Sequence, residues 1–283
     1  MSLKSIAKET LAILDAGTYT APSGALRNIA QSQTSAEAQT VLYRPDALRS
    51  LLKQASTPQE ASPLIEVWES TTQEAALRLT DTGAQVALLN FASARNPGGG
   101  FLNGARAQEE DLARCSGLYR CLLRQPRYYQ INRAQSSMLY TDHIIYSPDV
   151  PFFRVHSRQG LLEHPFYASV ITAPAPNAGQ FRRKRRGRGQ PLSEALHRRA
   201  GYVLAVARDH GHRVLVLGAW GCGVFRNDPA AVADAFGAWL EHPTFQGDFD
   251  RVVFAIYDPT RGQLNLWPFV ACSSNEHAAA LVD

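Results

Sequence analysis

Three short stretches of this sequence contain residue types that can do chemistry. Two glutamates are adjacent in Gln108–Glu110, and paired carboxyls can take up and release protons. Glycines recur in Gly98–Gly100 and again in Gly218–Gly223. Because glycine lacks Cβ, backbone N–H groups in such turns can approach a ligand closely, and a turn that leads from a strand into a helix can hold phosphate. These residue types indicate acid–base chemistry and the binding of a phosphate-bearing ligand.

Each of these patterns also has a purely structural explanation. Acids in the first turn of a helix favour the helix dipole. Neighbouring helical residues point about 100° apart, so the two glutamates need not share one task. Gly98–Gly100 could be a flexible surface loop, and Gly218–Gly223 could be a tight turn. The second stretch is neither a Walker motif nor a standard GxGxxG motif, so it favours a dinucleotide-like diphosphate over P-loop hydrolysis.

Strands and helices alternate along most of the chain, which predicts an α/β sheet with helices on both faces. An apolar strand at 86–91 leads into the first glycine turn, and one at 213–217 leads into the second. A helix at 108–123 carries both glutamates. Further strands are predicted at 65–69, 143–146, 168–171 and 250–257, and further helices at 5–16, 70–79, 192–210 and 228–240. Ligands of such sheets bind at the carboxyl ends of the strands.

The composition is that of a globular protein. The 283 residues are 45% hydrophobic and 19% charged, which excludes a disordered or fibrous chain. The formal net charge of +4 is misleading, because six cations lie within the seven residues Arg182–Arg188. Without that run the chain is slightly acidic, so a basic fold wrapped in nucleic acid is excluded.

Cysteines and apolar segments limit the function further. The four cysteines are widely spaced, and no Cys/His cluster has the spacing of a zinc site, so no metal or cofactor is expected. The chain has no N-terminal apolar run of signal-peptide type and no 18-residue apolar stretch, which argues against secretion and a membrane span. Free thiols without a signal favour the cytoplasm.

Taken together, the motifs resemble those of a known family. Asn90–Gly100, followed after seven residues by Gln108–Glu110, resembles the signature of poly(ADP-ribose) glycohydrolases. Gly218–Phe225 resembles the family's diphosphate loop, and Thr172–Asn177 is also similar. The resemblance extends from about residue 63 to residue 270. It implies a macrodomain-like fold, a three-layer α/β/α arrangement with a central mixed sheet.

The resemblance also implies how the chain is divided. The catalytic domain would comprise residues 63–283. Residues 1–62 look helical, with interruptions at Pro45 and Pro58. They resemble the accessory region of bacterial-type members, and we expect them to form an N-terminal helical extension.

The resemblance assigns roles to individual residues. Glu110 would be the general acid/base that cleaves the ribose–ribose O-glycosidic bond through an oxocarbenium-like state, and Glu109 would position the ribose. Tyr257 ends the last strand, where macrodomains commonly place a ring that stacks on adenine. The expected substrate-binding residues lie in or next to the glycine turns or at that strand end: Asn96, Gly98, Gly99, Gly100, Gln108, Gly218, Gly221, Cys222, Gly223, Val224, Phe225 and Tyr257.

Two other functions remain open from the sequence. One is a macrodomain that binds ADP-ribose without cleaving it, and the other is a hydrolase that removes mono-ADP-ribose from proteins. A pure binding module has no need of the paired acids in Gln108–Glu110. The expected partners are poly(ADP-ribose) and ADP-ribosylated proteins, with ADP-ribose as product, no sequence-specific nucleic acid and a monomeric chain. The run Arg182–Arg188 would either be a solvated loop or steer the polyanionic substrate.

Overall fold

The apolar runs form the centre of one large sheet. The computed structural model describes residues 1–54, 61–184, 190–258, 262 and 264–272. The described strands are β1 (Thr18–Thr20), β2 (Leu26–Asn28), β3 (Val41–Tyr43), β4 (Leu64–Trp68), β5 (Val86–Phe91), β6 (Ile144–Phe152), β7 (Phe166–Ala173), β8 (Val214–Leu217) and β9 (Arg251–Ala255). β1 and β2 form a separate hairpin, and the other seven strands form the sheet.

The sheet is mixed, with a parallel centre. Its strand order is β3-β6-β7-β5-β8-β9-β4. The five strands from β7 to β4 pair in parallel, whereas β6 is antiparallel to both β3 and β7. β5 and β8 are direct neighbours, so the two glycine turns that follow them lie at the same edge of the sheet. This is the edge at which ligands of α/β sheets bind.

Helices cover both faces of the sheet. They are α1 (Leu3–Ala16), α2 (Ala30–Ala38), α3 (Pro45–Leu52), α4 (Thr72–Thr80), α5 (Gln108–Cys115), α6 (Leu118–Leu123), α7 (Pro126–Ala134), α8 (Ala178–Lys184), α9 (Gln190–Asp209), α10 (Pro229–Leu240) and α11 (Trp267–Cys272). Along β5, Ala87 and Leu89 pack into a core with residues of α9 and α10, and Val86 and Leu88 pack into a second core with α4 to α7. The alternation confirms the predicted three layers.

The predicted helix at 108–123 is wrong, because two helices occupy that range. α5 ends at Cys115, and Ser116 is extended with φ −150° and ψ 178°. A side chain at Gly117 would overlap Gln33 of α2. Ser116 pairs with Phe152 of β6, so this Ser-Gly step brings the chain against the sheet and ends the glutamate-bearing helix after eight residues.

The prediction that residues 1–62 are helical is incomplete. The segment also contains the β1–β2 hairpin, and β3 joins the large sheet by pairing with β6. Pro45 does not interrupt a helix but lies at the first position of α3, where proline is well tolerated. Pro58 lies outside the described residues. The division at residue 62 stays a prediction.

Candidate active site

Gln108 fixes the start of α5 to the end of β5. Its Oε1 accepts a hydrogen bond from Phe91 N at 2.8 Å. Its Nε2 donates to Leu89 O at 2.8 Å and to Thr72 Oγ1 at 3.1 Å. The side chain therefore holds the first turn of α5 against the carboxyl end of the strand. Its polar atoms all contact protein here, and a contact of Gln108 with substrate stays a prediction.

Glu109 points into the protein. Its side chain is 2% exposed. Oε2 accepts a hydrogen bond from Ser93 N at 2.7 Å, and Oε1 accepts one from Asn90 Nδ2 at 3.3 Å. Burial raises the pKa of the Glu109 carboxyl from 4.5 to about 8, and the charge of Glu110 acts in the same direction, whereas the hydrogen bonds oppose the shift. Glu109 is therefore mostly protonated at neutral pH.

Glu110 points at the first glycine turn. It is half-buried, and its Oε1 accepts a hydrogen bond from Gly100 N at 2.9 Å. Gly99 adopts φ +58°, and a Cβ there would overlap Glu110 Oε1 and lie 3.2 Å from Glu109 Oε2. Both carboxyls therefore converge on Gly99. Only glycine leaves room for them at that position, and its left-handed backbone is also unfavourable for other residues.

A buried arginine shapes the segment between the first glycine turn and α5. Arg114 is 1% exposed, and it donates hydrogen bonds to Phe101 O at 3.3 Å and to Ala105 O. Thr10 Oγ1 of α1 donates to Arg114 O at 2.7 Å, and Arg154 donates to the same carbonyl at 3.1 Å. The N-terminal helix thus closes the carboxyl end of α5, whereas Gln108 anchors its start.

The second glycine turn is packed tightly at one end and open at the other. A Cβ on Gly218 would lie 2.6 Å from Ala255 O and 3.0 Å from Phe91 Cζ, so this turn touches the end of β5 directly. Gly221 has φ +73°, and Asn227 Nδ2 donates to its carbonyl at 3.2 Å. No described atom lies within 4 Å of a Cβ built on Gly223. The turn therefore has a fixed base and an open tip.

The side chains around the second turn differ in accessibility. Trp220 is fully buried and donates to Ala173 O at 3.1 Å, which makes it a core residue. Cys222 is half-buried, and burial raises its pKa to about 12, so it is an unreactive thiol. Val224 is exposed, and the half-buried Phe225 ring lies 5.9 Å from the Tyr140 ring. The tip thus presents Val224 and Phe225 to a ligand.

Tyr257 and Asn96 lie on the accessible side of the site. Tyr257 is 62% exposed, and its ring centroid lies 6.3 Å from that of His156. Asn96 is exposed; its backbone N donates to Ser93 Oγ at 3.1 Å, whereas its side-chain amide makes no hydrogen bond to the described residues. Asn96 O accepts from Gly99 N at 3.0 Å, which places Asn96 one turn from the carboxyls. Both side chains are therefore available to a ligand.

The structure adds residues that the sequence does not single out. Asn90 is fully buried and links Glu109 to Thr172 Oγ1, at 3.3 Å and 3.2 Å respectively. Asp111 accepts hydrogen bonds from Gln73 Nε2 at 2.8 Å and from Ser157 N at 3.1 Å. For Asn90, the available sequence signal was an asparagine within an apolar strand. The position of Asp111 depends on contacts between distant parts of the chain.

The cleft, the metal-ligating residue types and the helices of the described residues give no second candidate active site. A cleft of about 560 Å³ lies between α1 and residues 154–161, and none of its lining residues belongs to a glycine turn. Within the described ranges, no three His, Cys, Asp or Glu side chains are grouped so as to hold a metal ion. None of the helices described above is long and apolar enough to cross a membrane.

The fold has three layers, with helices on both faces of one sheet. Two glycine turns lie at the ligand-binding edge of that sheet, and one of them faces a carboxyl pair. These features define a macrodomain-like hydrolase. The sequence matches the family described as "Microbial-type PARG, catalytic domain" over residues 7–155. PARG denotes poly(ADP-ribose) glycohydrolase. The chain belongs to this family of glycosidases, as the resemblance of its motifs predicted.

Solved structures agree with this assignment. The poly(ADP-ribose) glycohydrolase of Thermomonospora curvata is 49% identical, with a TM-score of 0.91, 95% of this chain covered and 98% of that one. The same enzyme bound to the inhibitor ADP-HPD gives 49% identity, the same coverage and a TM-score of 0.88. The Deinococcus radiodurans enzyme in complex with ADP-ribose is 45% identical over 86% of this chain and 97% of that one, with a TM-score of 0.77. Curated proteins give no match.

Proposed function

We propose that this chain hydrolyses the ribose–ribose bonds of poly(ADP-ribose) with Glu110 as the general acid/base. The observation that carries the proposal is the convergence of the two carboxyls on Gly99, where Gly100 N holds Glu110 Oε1 at 2.9 Å. Glu110 is the carboxyl on the open side of the pair. It would protonate the leaving ribose oxygen and then remove a proton from the attacking water.

Glu109 would bind the distal ribose and keep a proton in the site. Because burial raises its pKa to about 8, the carboxyl pair retains one proton at neutral pH, although it lies at a helix N-terminus. For the reaction, the proton held by the pair would move to Glu110, which passes it to the leaving oxygen and regains one from the attacking water. Glu109 would then accept a hydrogen bond from a ribose hydroxyl, and the Asn96 side-chain amide can bind another. The oxocarbenium-like state would then form between Glu110 and the two ribose-binding groups, without a second ionised carboxylate acting as nucleophile.

The second glycine turn would hold the diphosphate. It touches the end of β5 through Gly218, so a ligand that starts at the carboxyl pair can continue along this turn. Backbone N–H groups at its open tip, near Gly223 and Val224, would bind phosphate oxygens. Phe225 would pack against the ribose–diphosphate, and the exposed Tyr257 ring would stack on adenine.

The wider assignments follow from the same proposal. The substrate would be the free polymer and poly(ADP-ribose) on ADP-ribosylated proteins, including chains formed after DNA damage, and the enzyme would act as a monomer. The described cysteines Cys115, Cys121 and Cys222 are free thiols, which favours a reducing compartment such as the cytoplasm. Residues 63–283 would form the catalytic domain and residues 1–62 an accessory segment.

Substitution of Glu110 tests the proposal. Glu110→Gln removes the transferable proton but keeps the size of the side chain, and we expect kcat to fall about 10²- to 10⁴-fold. The Kd for ADP-ribose should change by less than about threefold, because the variant still accepts from Gly100 N. Release of ADP-ribose from polymer-bearing protein measures the first quantity, and calorimetry measures the second.

The matched control is Glu194→Gln, which alters an exposed glutamate of α9. It should retain full activity. Full turnover in Glu110→Gln would contradict the assignment of Glu110. A wild-type protein that binds ADP-ribose and releases none would instead be a binding module.

A further inference from the structure

Two exposed arginines without acidic partners lie beside the first glycine turn. Arg95 belongs to the loop that follows β5, and Arg133 lies in the last turn of α7. Arg133 Nη1 donates a hydrogen bond to Arg95 O at 2.6 Å, which fixes one guanidinium against that loop. Among the described residues, many other arginines pair with a carboxylate, but Arg95 and Arg133 do not. Two positive charges are therefore uncompensated at this place.

The two arginines lie close to the carboxyl pair. Asn96 O accepts from Gly99 N at 3.0 Å, and the Cα atoms at the ends of such a turn are less than about 7 Å apart. Arg95 is one residue further, so its Cα lies within about 11 Å of Gly99. Gly99 in turn contacts both glutamates. An arginine side chain can cover most of that distance.

The second glycine turn follows β8, whereas the two arginines border the turn that follows β5. It is reached through Gly218, which touches Phe91 at the end of β5. A bound ADP-ribose unit that runs from the carboxyls along this turn would place its diphosphate on the backbone of residues 218–225, whereas Arg95 and Arg133 border the first glycine turn. The two arginines are therefore available to a different anion, beyond the scissile bond.

In poly(ADP-ribose), the unit beyond the scissile bond carries the next diphosphate. We propose that Arg95 and Arg133 form a subsite for the diphosphate of the ADP-ribose unit on the leaving-group side. The inference rests on the proposed function and extends it, because it assigns a binding site to the part of the polymer that is not released. Arg133 uses one of its five N–H donors on Arg95 O, so several remain for phosphate oxygens.

The subsite predicts a dependence on the leaving group. We compare a two-unit fragment of the polymer, whose leaving group carries a diphosphate, with an α-linked aryl ADP-ribose, whose leaving group carries none. For the double variant Arg95→Gln/Arg133→Gln, kcat/KM on the fragment should fall about tenfold at ~50 mM salt, and the salt dependence should weaken by about one to two in log–log slope. On the aryl substrate kcat/KM should change by less than about twofold.

Two further variants separate charge from local structure. Arg124→Gln/Arg213→Gln removes the same number of charges next to the starts of β3 and β8, at the opposite edge of the sheet, and should leave both substrates unaffected. Arg133→Lys keeps the charge and should retain most of the fragment activity. A loss of activity in Arg133→Lys would measure the contribution of the hydrogen bond to Arg95 O, because the charge is unchanged.

The outcomes distinguish this inference from the proposed function. An equal loss on both substrates, or no loss on the fragment, would overturn the subsite while the proposed function stands. An equal loss in the control double variant would also overturn it, because the effect would then be one of overall charge. A wild-type protein that releases no ADP-ribose from the fragment would overturn the proposed function and the subsite with it.

Discussion

Replacing Glu109 by glutamine should change how stability depends on pH. The carboxyl is 2% exposed, and its pKa is raised from 4.5 to about 8. Between these two pH values the folded protein binds more protons than the unfolded chain, so the free energy of unfolding falls as pH rises. A tenfold change in proton affinity corresponds to about 1.4 kcal/mol. Above pH 8 the raised pKa of Glu109 therefore lowers the free energy of unfolding by about 5 kcal/mol.

At neutral pH most of this effect is already present. Between pH 4.5 and pH 7 the wild-type protein should lose about 3 kcal/mol through this one group, since the unfolded carboxyl ionises and the buried one does not. Glu109→Gln removes the titration. Its amide can accept from Ser93 N, and a rotated Asn90 amide can accept from its NH₂ group.

The assay is urea unfolding of both proteins from pH 4.5 to pH 8. Glu109→Gln should gain stability relative to wild type by about 3 kcal/mol between pH 4.5 and pH 7. The control Glu194→Gln alters an exposed carboxyl of α9 and should follow the wild-type curve. A difference between wild type and Glu109→Gln that stays constant across this pH range would refute a buried carboxyl with a raised pKa.

Two other substitutions test the geometry of the site. Gly99→Ala should lower kcat/KM at least about 100-fold, because a Cβ there displaces the Glu110 carboxyl; steady-state kinetics measures this, and near-normal activity would contradict the close approach. Gln108→Ala should lower the free energy of unfolding by about 2–4 kcal/mol, because it leaves Phe91 N and Leu89 O without their partner. Gln108→Glu keeps the acceptor for Phe91 N but places a carboxylate oxygen against Leu89 O, so it should also lower the free energy of unfolding, and equal urea midpoints for all three proteins would exclude the anchoring role.

The central strands could be predicted from the sequence because their cause is local. Val86–Phe91 is a continuous apolar run, and such runs form strands that are buried on both faces. The capping box of Thr71 and Glu74 is equally local, and it sets the start of α4 at Thr72, two residues after the predicted start. For these elements the burial pattern is already present in the order of the residues.

The short elements of the N-terminal segment could not be predicted in this way. β1, β2 and β3 have three residues each, too few to show a periodic pattern. β3 is a strand because it pairs with β6, about 100 residues further along the chain. Likewise, the break at Ser116–Gly117 depends on contacts with Phe152 and Gln33. Tertiary contacts decided these elements.

The residue pattern indicated the candidate site but not which of its two acids is buried, and only the family resemblance divided their tasks. Adjacent residues of a helix point about 100° apart, so Glu109 and Glu110 could be expected to differ. Which of them is buried depends on how α5 is rotated against β5. Gln108 fixes that rotation through its bonds to the strand end, and no local pattern shows those bonds.

The fixation of α5 at both ends also explains why an accessory segment matters to the site. An eight-residue helix is too short to be stable alone, so its orientation must come from its contacts. Gln108 holds its first turn, and Thr10 of α1 closes its last turn through Arg114 O. If α5 turned about its axis, Glu109 would leave its buried position and Glu110 would leave Gly100 N together. The burial of Glu109 and the accessibility of Glu110 are therefore a property of how this helix is held by β5 and by the N-terminal segment.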